Sequence, residues 1–240
     1  MDGLKLYRSN MHKINISKDA IEVAIKHRGG RRHAFEVIDT AKTALIVIDM
    51  QNYFMAPGMV AEVPAARDIV PNINKLAKNL RTAGGQVAWV MSTFDKNIYQ
   101  DWSVLADLFS TERCEAMIRN LCVGGPGHDL WPDFDVQGED WRVEKNRFSA
   151  FLDGSSDLVA RLRKANIDTV IITGTLTDVC CESSARDAMM KNFKVIMITD
   201  ACAAGSDDDH NNSLNAMVRL FADVISTGEM IEKLNENRDE

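Results

Sequence analysis

No run in this chain approaches the roughly 18 consecutive apolar residues of a membrane span, so a membrane partner is not expected. Cysteine pairing is equally thin. The five cysteines are an odd number and none forms a C-x-x-C pair, which points to free thiols in a reducing cytoplasm rather than a disulfide frame. The first residues are too polar for a secretory signal. No G-x-G-x-x-G follows an early strand, which removes a dinucleotide-binding reading. Positive charge is in deficit: 28 Lys and Arg stand against 35 Asp and Glu, leaving −7, a balance that argues against a nucleic-acid partner. The basic run from Lys26 to Arg32 is short, lacks interleaved aromatics and reads as a solvated segment. No internal repeat or low-complexity tract is visible.

What remains suits one α/β domain, since 240 residues of ordinary apolar content can bury a substantial core. Apolar runs and helical patterns alternate, which implies a parallel sheet covered on both faces. Strands are expected at 44–48, 86–91, 141–144, 169–173, 194–199 and 222–226. Helices are expected at 65–81, closed by Gly84-Gly85, and at 182–191, 207–221 and 229–234. A further helix over 157–164 takes Ser155 or Ser156 as N-cap. Two regions stand outside the scheme. Residues 1–39 read as a polar, basic extension in which Ile21, Val23 and Ala24 hint at a short helix, an arm suited to a neighbouring subunit; residues 40–240 form the domain. The segment 94–137 is a long insert of the kind that serves as a lid or substrate loop, and it holds Phe94, Tyr99, Trp102, Phe109 and Trp131.

Three residues sit where open α/β sheets keep their sites, at the carboxyl ends of strands. The run Ala44-Leu45-Ile46-Val47-Ile48 stops on Asp49, either a site carboxylate or a turn and cap residue. Trp141-Arg142-Val143-Glu144 ends in Lys145, which alone would be a surface charge. Thr169-Val170-Ile171-Ile172-Thr173 leads through Gly174 to Cys180 and Cys181 at the start of a helix. A thiol in a first helical turn meets unpaired N–H groups and the positive end of the dipole, both of which favour thiolate, the nucleophilic form. The alternative is a buried structural cysteine.

In order and spacing, three segments together resemble the isochorismatase-like cysteine hydrolases: Ala44 to Asn52, Glu144 to Phe151, and Thr173 to Cys180 continuing to Ser183, Arg186 and Asp187. That family includes nicotinamidases, N-carbamoylsarcosine amidohydrolases, biuret hydrolases and ureidoacrylate amidohydrolases. The resemblance covers roughly residues 40–236. It implies a three-layer αβα fold with a mostly parallel six-stranded sheet, and a homodimer or homotetramer. It also implies a triad in which Cys180 attacks a carbonyl, Asp49 moves the proton and Lys145 supplies a countercharge. The backbone N–H groups of Leu176 and Cys180 would form the oxyanion hole, beside a cis Thr175-Leu176 peptide. Cys181 would face the core, because adjacent helical residues point about 100° apart.

Family members that hydrolyse the vinyl ether of isochorismate lack this thiol, so its presence favours C–N bond hydrolysis of a small ureido, carbamoyl or amide substrate. Nicotinamidases carry aspartate and several histidines as a metal site soon after the second strand. Here that stretch reads Met91-Ser92-Thr93-Phe94-Asp95-Lys96-Asn97; His128 and His210 are isolated, so neither metal nor cofactor is expected. Lys145 to Phe151, and Thr93-Phe94-Asp95, are most similar to ureidoacrylate amidohydrolases. Tyr53, Phe94, Asp95, Arg147 and Phe151 are the candidate substrate contacts. Arg147 could clamp a substrate carboxylate or pair with Glu144 or Asp187. An isochorismatase-type or nicotinamide-directed hydrolase, or a non-catalytic binding module, is the alternative.

Overall fold

The computed structural model of the protein describes residues 11–236. In chain order its first elements are α1 (Lys18–His27), β1 (Thr43–Ile48), α2 (Asn52–Met55), α3 (Val70–Thr82) and β2 (Gln86–Ser92). Then follow α4 (Ile98–Asp101), α5 (Ser103–Leu108), α6 (Thr111–Leu121), β3 (Trp141–Lys145), α7 (Leu158–Lys164) and β4 (Thr169–Thr175). The chain continues through α8 (Glu182–Met190), β5 (Lys194–Ala203), α9 (Asp207–Leu220), β6 (Asp223–Ile225) and α10 (Thr227–Glu236).

The six strands form one sheet in the order β3-β2-β1-β4-β5-β6, and every pairing is parallel. Burial explains the continuous apolar runs, because a central parallel strand is covered on both faces. Every residue of β1 is buried. Its side chains alternate: Leu45 and Val47 join a core with α3 and α10, while Ala44, Ile46 and Ile48 join a second core with α7, α8 and α9.

Several boundaries differ from the sequence expectation. The helix expected from Ala65 begins at Val70, because Pro64–Arg67 forms a separate 3-10 turn and Pro71 occupies the first turn of α3, where its missing N–H costs nothing. β5 runs past Asp200 to Ala203, pairing Cys202 and Ala203 with Gly174 and Thr175 after a register irregularity. The helix expected from Asp157 with Ser155 or Ser156 as N-cap instead begins at Leu158 with Asp157 at the N-cap position and no side-chain cap from it; Ser156 accepts the Leu158 amide at 3.1 Å from one residue further out. The 94–137 insert is not an open loop: its first half is α4, α5 and α6.

Described residues of the leading segment pack on their own chain. Ala20 and Ala24, four apart on one face of α1, meet Val218 of α9. Arg28 pairs with Asp223 of β6 at 2.8 Å, and the same carboxylate accepts the amides of Ala34 and Phe35. Residues 1–10 of the expected arm lie outside the described residues. Among the described residues, no helix is long and apolar enough to cross a membrane.

One glycine fixes the geometry that the site needs. Gly174 lies opposite Ile48 in the β1–β4 register with φ +115°, and a Cβ there would fall 2.1 Å from the Ile48 carbonyl oxygen. Only glycine allows that approach. It draws together the strand ends that carry Asp49 and the Cys180 turn.

Candidate active site

The order of the sheet reverses between β1 and β4, the place where open α/β folds hold ligands at the carboxyl ends of their strands. Four strands each deliver one polar side chain there. Asp49 follows β1, Ser92 ends β2, Lys145 ends β3, and Cys180 follows β4. In β3 only Val143 and Lys145 are buried, so the alternation that hides Val143 hides the lysine too. The β2–β3 register then sets Lys145 beside Ser92.

The resulting cluster is dry and closely bonded. Lys145 Nζ donates to Asp49 Oδ2 at 2.8 Å, to Ser92 Oγ at 2.8 Å and to the Arg147 carbonyl at 3.1 Å, and lies 3.7 Å from Cys180 Sγ. Asp49 Oδ1 accepts from the Ser92 amide at 3.0 Å and its hydroxyl at 2.9 Å. Asp49 and Lys145 have side-chain exposures of 0%. Asp49 adopts φ +54°, a left-handed conformation that Asp and Asn tolerate better than other side chains. Its carboxylate is spent on Ser92 and Lys145, so it acts as neither helix cap nor turn former. Burial opposes the charge on Lys145, but Asp49 and Cys180 together raise its pKa above the ordinary value.

Cys180 lies in a π-helical turn, Thr177–Cys181, that leads into α8. Here the electrostatics reverse the sequence expectation of a thiolate favoured by the helix end. Burial and the neighbouring Asp49 carboxylate push the Cys180 thiol well above its usual range, and Lys145 pulls it back only in part. The enclosure and the Asp49 charge thus favour the thiol over the thiolate. Cys181 is fully buried in the core with its Sγ toward the Thr173 carbonyl at 3.8 Å. The Thr175-Leu176 peptide is cis.

A cavity of about 260 Å³ opens onto Cys180. Leu176 and Val179 form its floor with the thiol, and Tyr53 and Phe54 of α2 form one wall. The insert supplies Phe94, Phe109, Arg113, Met117 and Leu121, and Phe148 closes the remaining side. Larger hollows exist, including one of about 390 Å³ between the leading segment and β6, but it contains none of these groups.

Of the expected substrate contacts, Tyr53 and Phe94 line this cavity. Asp95 does not; it faces a separate hollow of about 620 Å³ on the other side of Lys145, with Asp101 and Glu144. Arg147 forms neither expected pair. Its guanidinium donates to the Asp101 and Asn146 carbonyls and lies 5.2 Å over the Trp102 ring. Phe151 belongs to the core, fully buried and edge-on to Phe193 at 5.6 Å, because the chain turns inward after Phe148. Arg186 pairs with Glu182 one turn earlier.

Sequence reasoning missed Ser92 and Arg113. A serine at a strand end and an arginine among short helices carry no pattern of their own. It also missed the support behind the turn that carries Cys180. Thr177 Oγ1 lies 2.8 Å from Nδ1 of the buried His210, Ser213 Oγ donates to the Thr177 carbonyl, and His12 stacks on His210 with centroids 4.5 Å apart. Among the described residues, no group of three or more His, Cys, Asp or Glu side chains is placed to hold a metal ion. The histidines that a nicotinamidase-type metal site would need are absent after β2, so the donor set does not fit one.

A family model described as the isochorismatase domain matches residues 43–229. The chain belongs to the isochorismatase family. Among similar proteins of this family is the uncharacterized isochorismatase family protein YwoC of Bacillus subtilis, 30% identical over 82% of this chain and 96% of that protein. The ureidoacrylate amidohydrolase RutB of Acinetobacter baylyi is 26% identical, covering 82% of this chain and 85% of its own length. A solved structure of a cysteine hydrolase from Pseudomonas syringae pv. phaseolicola 1448A superposes with a TM-score of 0.75 at 30% identity, over 83% of this chain and 95% of that one. The isochorismatase-family match begins at residue 43, so α1 and its strap to β6 precede the shared fold. The protein is an isochorismatase-family hydrolase.

Proposed function

We propose that this protein is a metal-independent cysteine amidohydrolase that cleaves a C–N bond of a small ureido, carbamoyl or amide substrate through a thioester. The observation that carries the reading is Lys145 Nζ, 2.8 Å from the Asp49 carboxylate and 3.7 Å from the Cys180 sulfur. A cation held between a base and a thiol stabilises the ion pair that forms when the proton moves.

The resting thiol gives its proton to Asp49 as Sγ attacks the carbonyl carbon, so thiolate exists only during attack. The oxyanion is received by the backbone N–H groups of Leu176 and Cys180, in a site from which water is largely excluded. When the tetrahedral intermediate collapses, the C–N bond breaks and Asp49 returns the proton to the leaving nitrogen. Water then attacks the thioester, with Asp49 again taking a proton, and the thiol leaves restored. The kinship with a ureidoacrylate amidohydrolase supports a ureido or carbamoyl substrate.

An ammonia-release screen over ureidoacrylate, biuret, carbamoylated amino acids, maleamate and nicotinamide tests the reaction class. Acid-quenched enzyme is examined by mass spectrometry for an acyl adduct on the Cys180 peptide. Turnover should survive extended chelation. Activity that requires an added divalent ion, or an acyl group found on another residue, would refute this mechanism.

A further inference from the structure

Residues 12–17 precede the part of the chain that the isochorismatase-family model matches, yet they are seated on α9 in a fixed register. The Lys13 amide donates to Asp207 Oδ1 at 3.4 Å, the Asn15 amide to Asn211 Oδ1 at 2.6 Å and the Ser17 amide to Asn215 Oδ1 at 2.8 Å. Asn211 Nδ2 also donates to the Lys13 carbonyl at 2.9 Å. The spacing explains the fit. An extended chain advances roughly 6.6 Å over two residues, and a helix about 6 Å over four. Alternate amides of the segment therefore meet side chains one helical turn apart, and the Asn211 carboxamide stands in for a neighbouring strand.

That register brings His12 to the start of α9. Its side chain is 7% exposed. Nε2 accepts the Ala204 amide at 3.0 Å, so the proton sits on Nδ1, which donates to Asp207 at 2.8 Å. Ala204 follows the end of β5, where Ala203 pairs with Thr175 of β4. Held by these two bonds, the imidazole lays one face on the His210 ring, with centroids 4.5 Å apart and planes 19° from parallel.

His210 is fully buried, and its Nδ1 lies 2.8 Å from Thr177 Oγ1. Thr177 opens the turn that carries Cys180. Its carbonyl is held too, by the Ser213 hydroxyl at 3.2 Å. The hydroxyl and carbonyl of this residue are thus both anchored on α9, and the ring that anchors the hydroxyl is covered by His12. Removing His12 would bare that face, and side chains beside an empty space relax into it. A turn that shifts by a fraction of an ångström no longer presents its sulfur to Asp49 and Lys145 in reacting geometry.

We propose that His12 is a positioning residue: acting through His210 and Thr177 it holds the turn that presents Cys180, so the leading segment helps to set the turnover rate. The assignment rests on Cys180 as the nucleophile. His12 touches no reacting atom, and its effect belongs in kcat.

Steady-state kinetics use the compound turned over fastest among ureidoacrylate, biuret, N-carbamoylglycine, maleamate and nicotinamide. His12→Ala should lower kcat roughly ten- to hundredfold, the scale of a misplacement approaching 1 Å, with KM little changed. Arg28→Met is the control in the same leading segment. It breaks the Arg28–Asp223 pair at β6 and should lower the urea midpoint while kcat stays native. His12→Phe keeps the stack without the two bonds and should recover part of the rate. Thr177→Ser keeps the hydroxyl and should stay near native. Thr177→Val removes it, and adding His12→Ala should then cost little more, because the two lie on one path. Native kcat in His12→Ala, an equal loss of kcat in Arg28→Met, or fully additive losses in the double variant would overturn the assignment.

Hydrogen exchange read by mass spectrometry separates this proposal from the reaction itself. The peptide spanning 176–182 should exchange faster in His12→Ala than in the native protein, and at the native rate in Arg28→Met. That result supports the hold on the turn even if none of the compounds is turned over and the amidohydrolase reading fails. Unaltered exchange over 176–182 in His12→Ala would overturn it and leave the amidohydrolase reading intact.

Discussion

The two halves of the active site are built differently. The half that carries Asp49, Ser92, Lys145 and Cys180 stands on the ends of four adjacent parallel strands, fully buried and cross-bonded. The half that carries Phe94, Phe109, Arg113 and Met117 stands on a segment of short helices and turns outside the sheet. Strands hold reacting atoms to within the fraction of an ångström that catalysis demands, while connecting segments can vary without disturbing the scaffold. On the proposed mechanism, chemistry sits on the rigid half and substrate choice on the adaptable one. Damage to the first should appear in kcat, and damage to the second in KM.

The largest effect is expected at Cys180, the proposed nucleophile. Cys180→Ala should lower turnover by roughly 10⁴-fold or more with the fold intact by circular dichroism, while Cys181→Ala keeps most activity. The opposite pattern would show that the motif is displaced by one residue. Asp49→Asn comes next, with the chemical step falling roughly 10²–10⁴-fold, the range of a positioned base. Single-turnover kinetics separates that loss from binding.

Lys145→Ala tests how the rigid half is held. It leaves the Asp49 carboxylate buried and unpaired, which should cost about 3–5 kcal/mol in urea denaturation. Asp49→Asn combined with Lys145→Met removes both charges and should recover most of that stability without recovering turnover. If the double variant were as unstable as Lys145→Ala, the cluster would be structural glue as well as machinery.

On the adaptable half, Phe109→Ala should raise KM roughly tenfold through lost apolar burial, with kcat changed little. A fall in kcat of similar size would erase the distinction between the halves.

A last effect, read in stability alone, tests the support beneath the turn that carries Cys180. Burial and the neighbouring His12 lower the His210 pKa from 6.5 to about 4. Between these values the unfolded chain binds a proton that the folded chain refuses. Stability is therefore whole above pH 6.5 and declines as pH falls through about 4, by up to about 3 kcal/mol for this group. Native protein and His210→Asn should diverge least near pH 4 and most near pH 7, as read by urea midpoints. Parallel curves would mean that His210 is not what titrates.

The scaffold was legible because buried parallel strands must be apolar throughout, and 44–48 and 169–173 announce themselves. Asp49 stood out because it stops such a run, and Lys145 and Cys180 because, with it, they follow a strand end and a strand-to-helix turn. What escaped the sequence were properties that depend on neighbours. The direction of the Cys180 shift is set by enclosure and by Asp49, which helix position alone does not disclose. Phe151 reads as part of the Lys145-Asn146-Arg147-Phe148 motif, yet the chain turns and the ring meets Phe193. Arg113 comes to line the cavity only through the fold of the insert.

The strap from Arg28 to Phe35 has a consequence away from the chemistry. An open sheet ends in two edges, and each edge strand invites pairing with another chain. At one edge β3 carries exposed Arg142 and Glu144, charges that discourage a second strand from docking. At the other, β6 has three residues, and the leading segment is tied to it through Asp223. A chain shortened to the shared fold would lose that guard and leave the β6 edge more open to pairing.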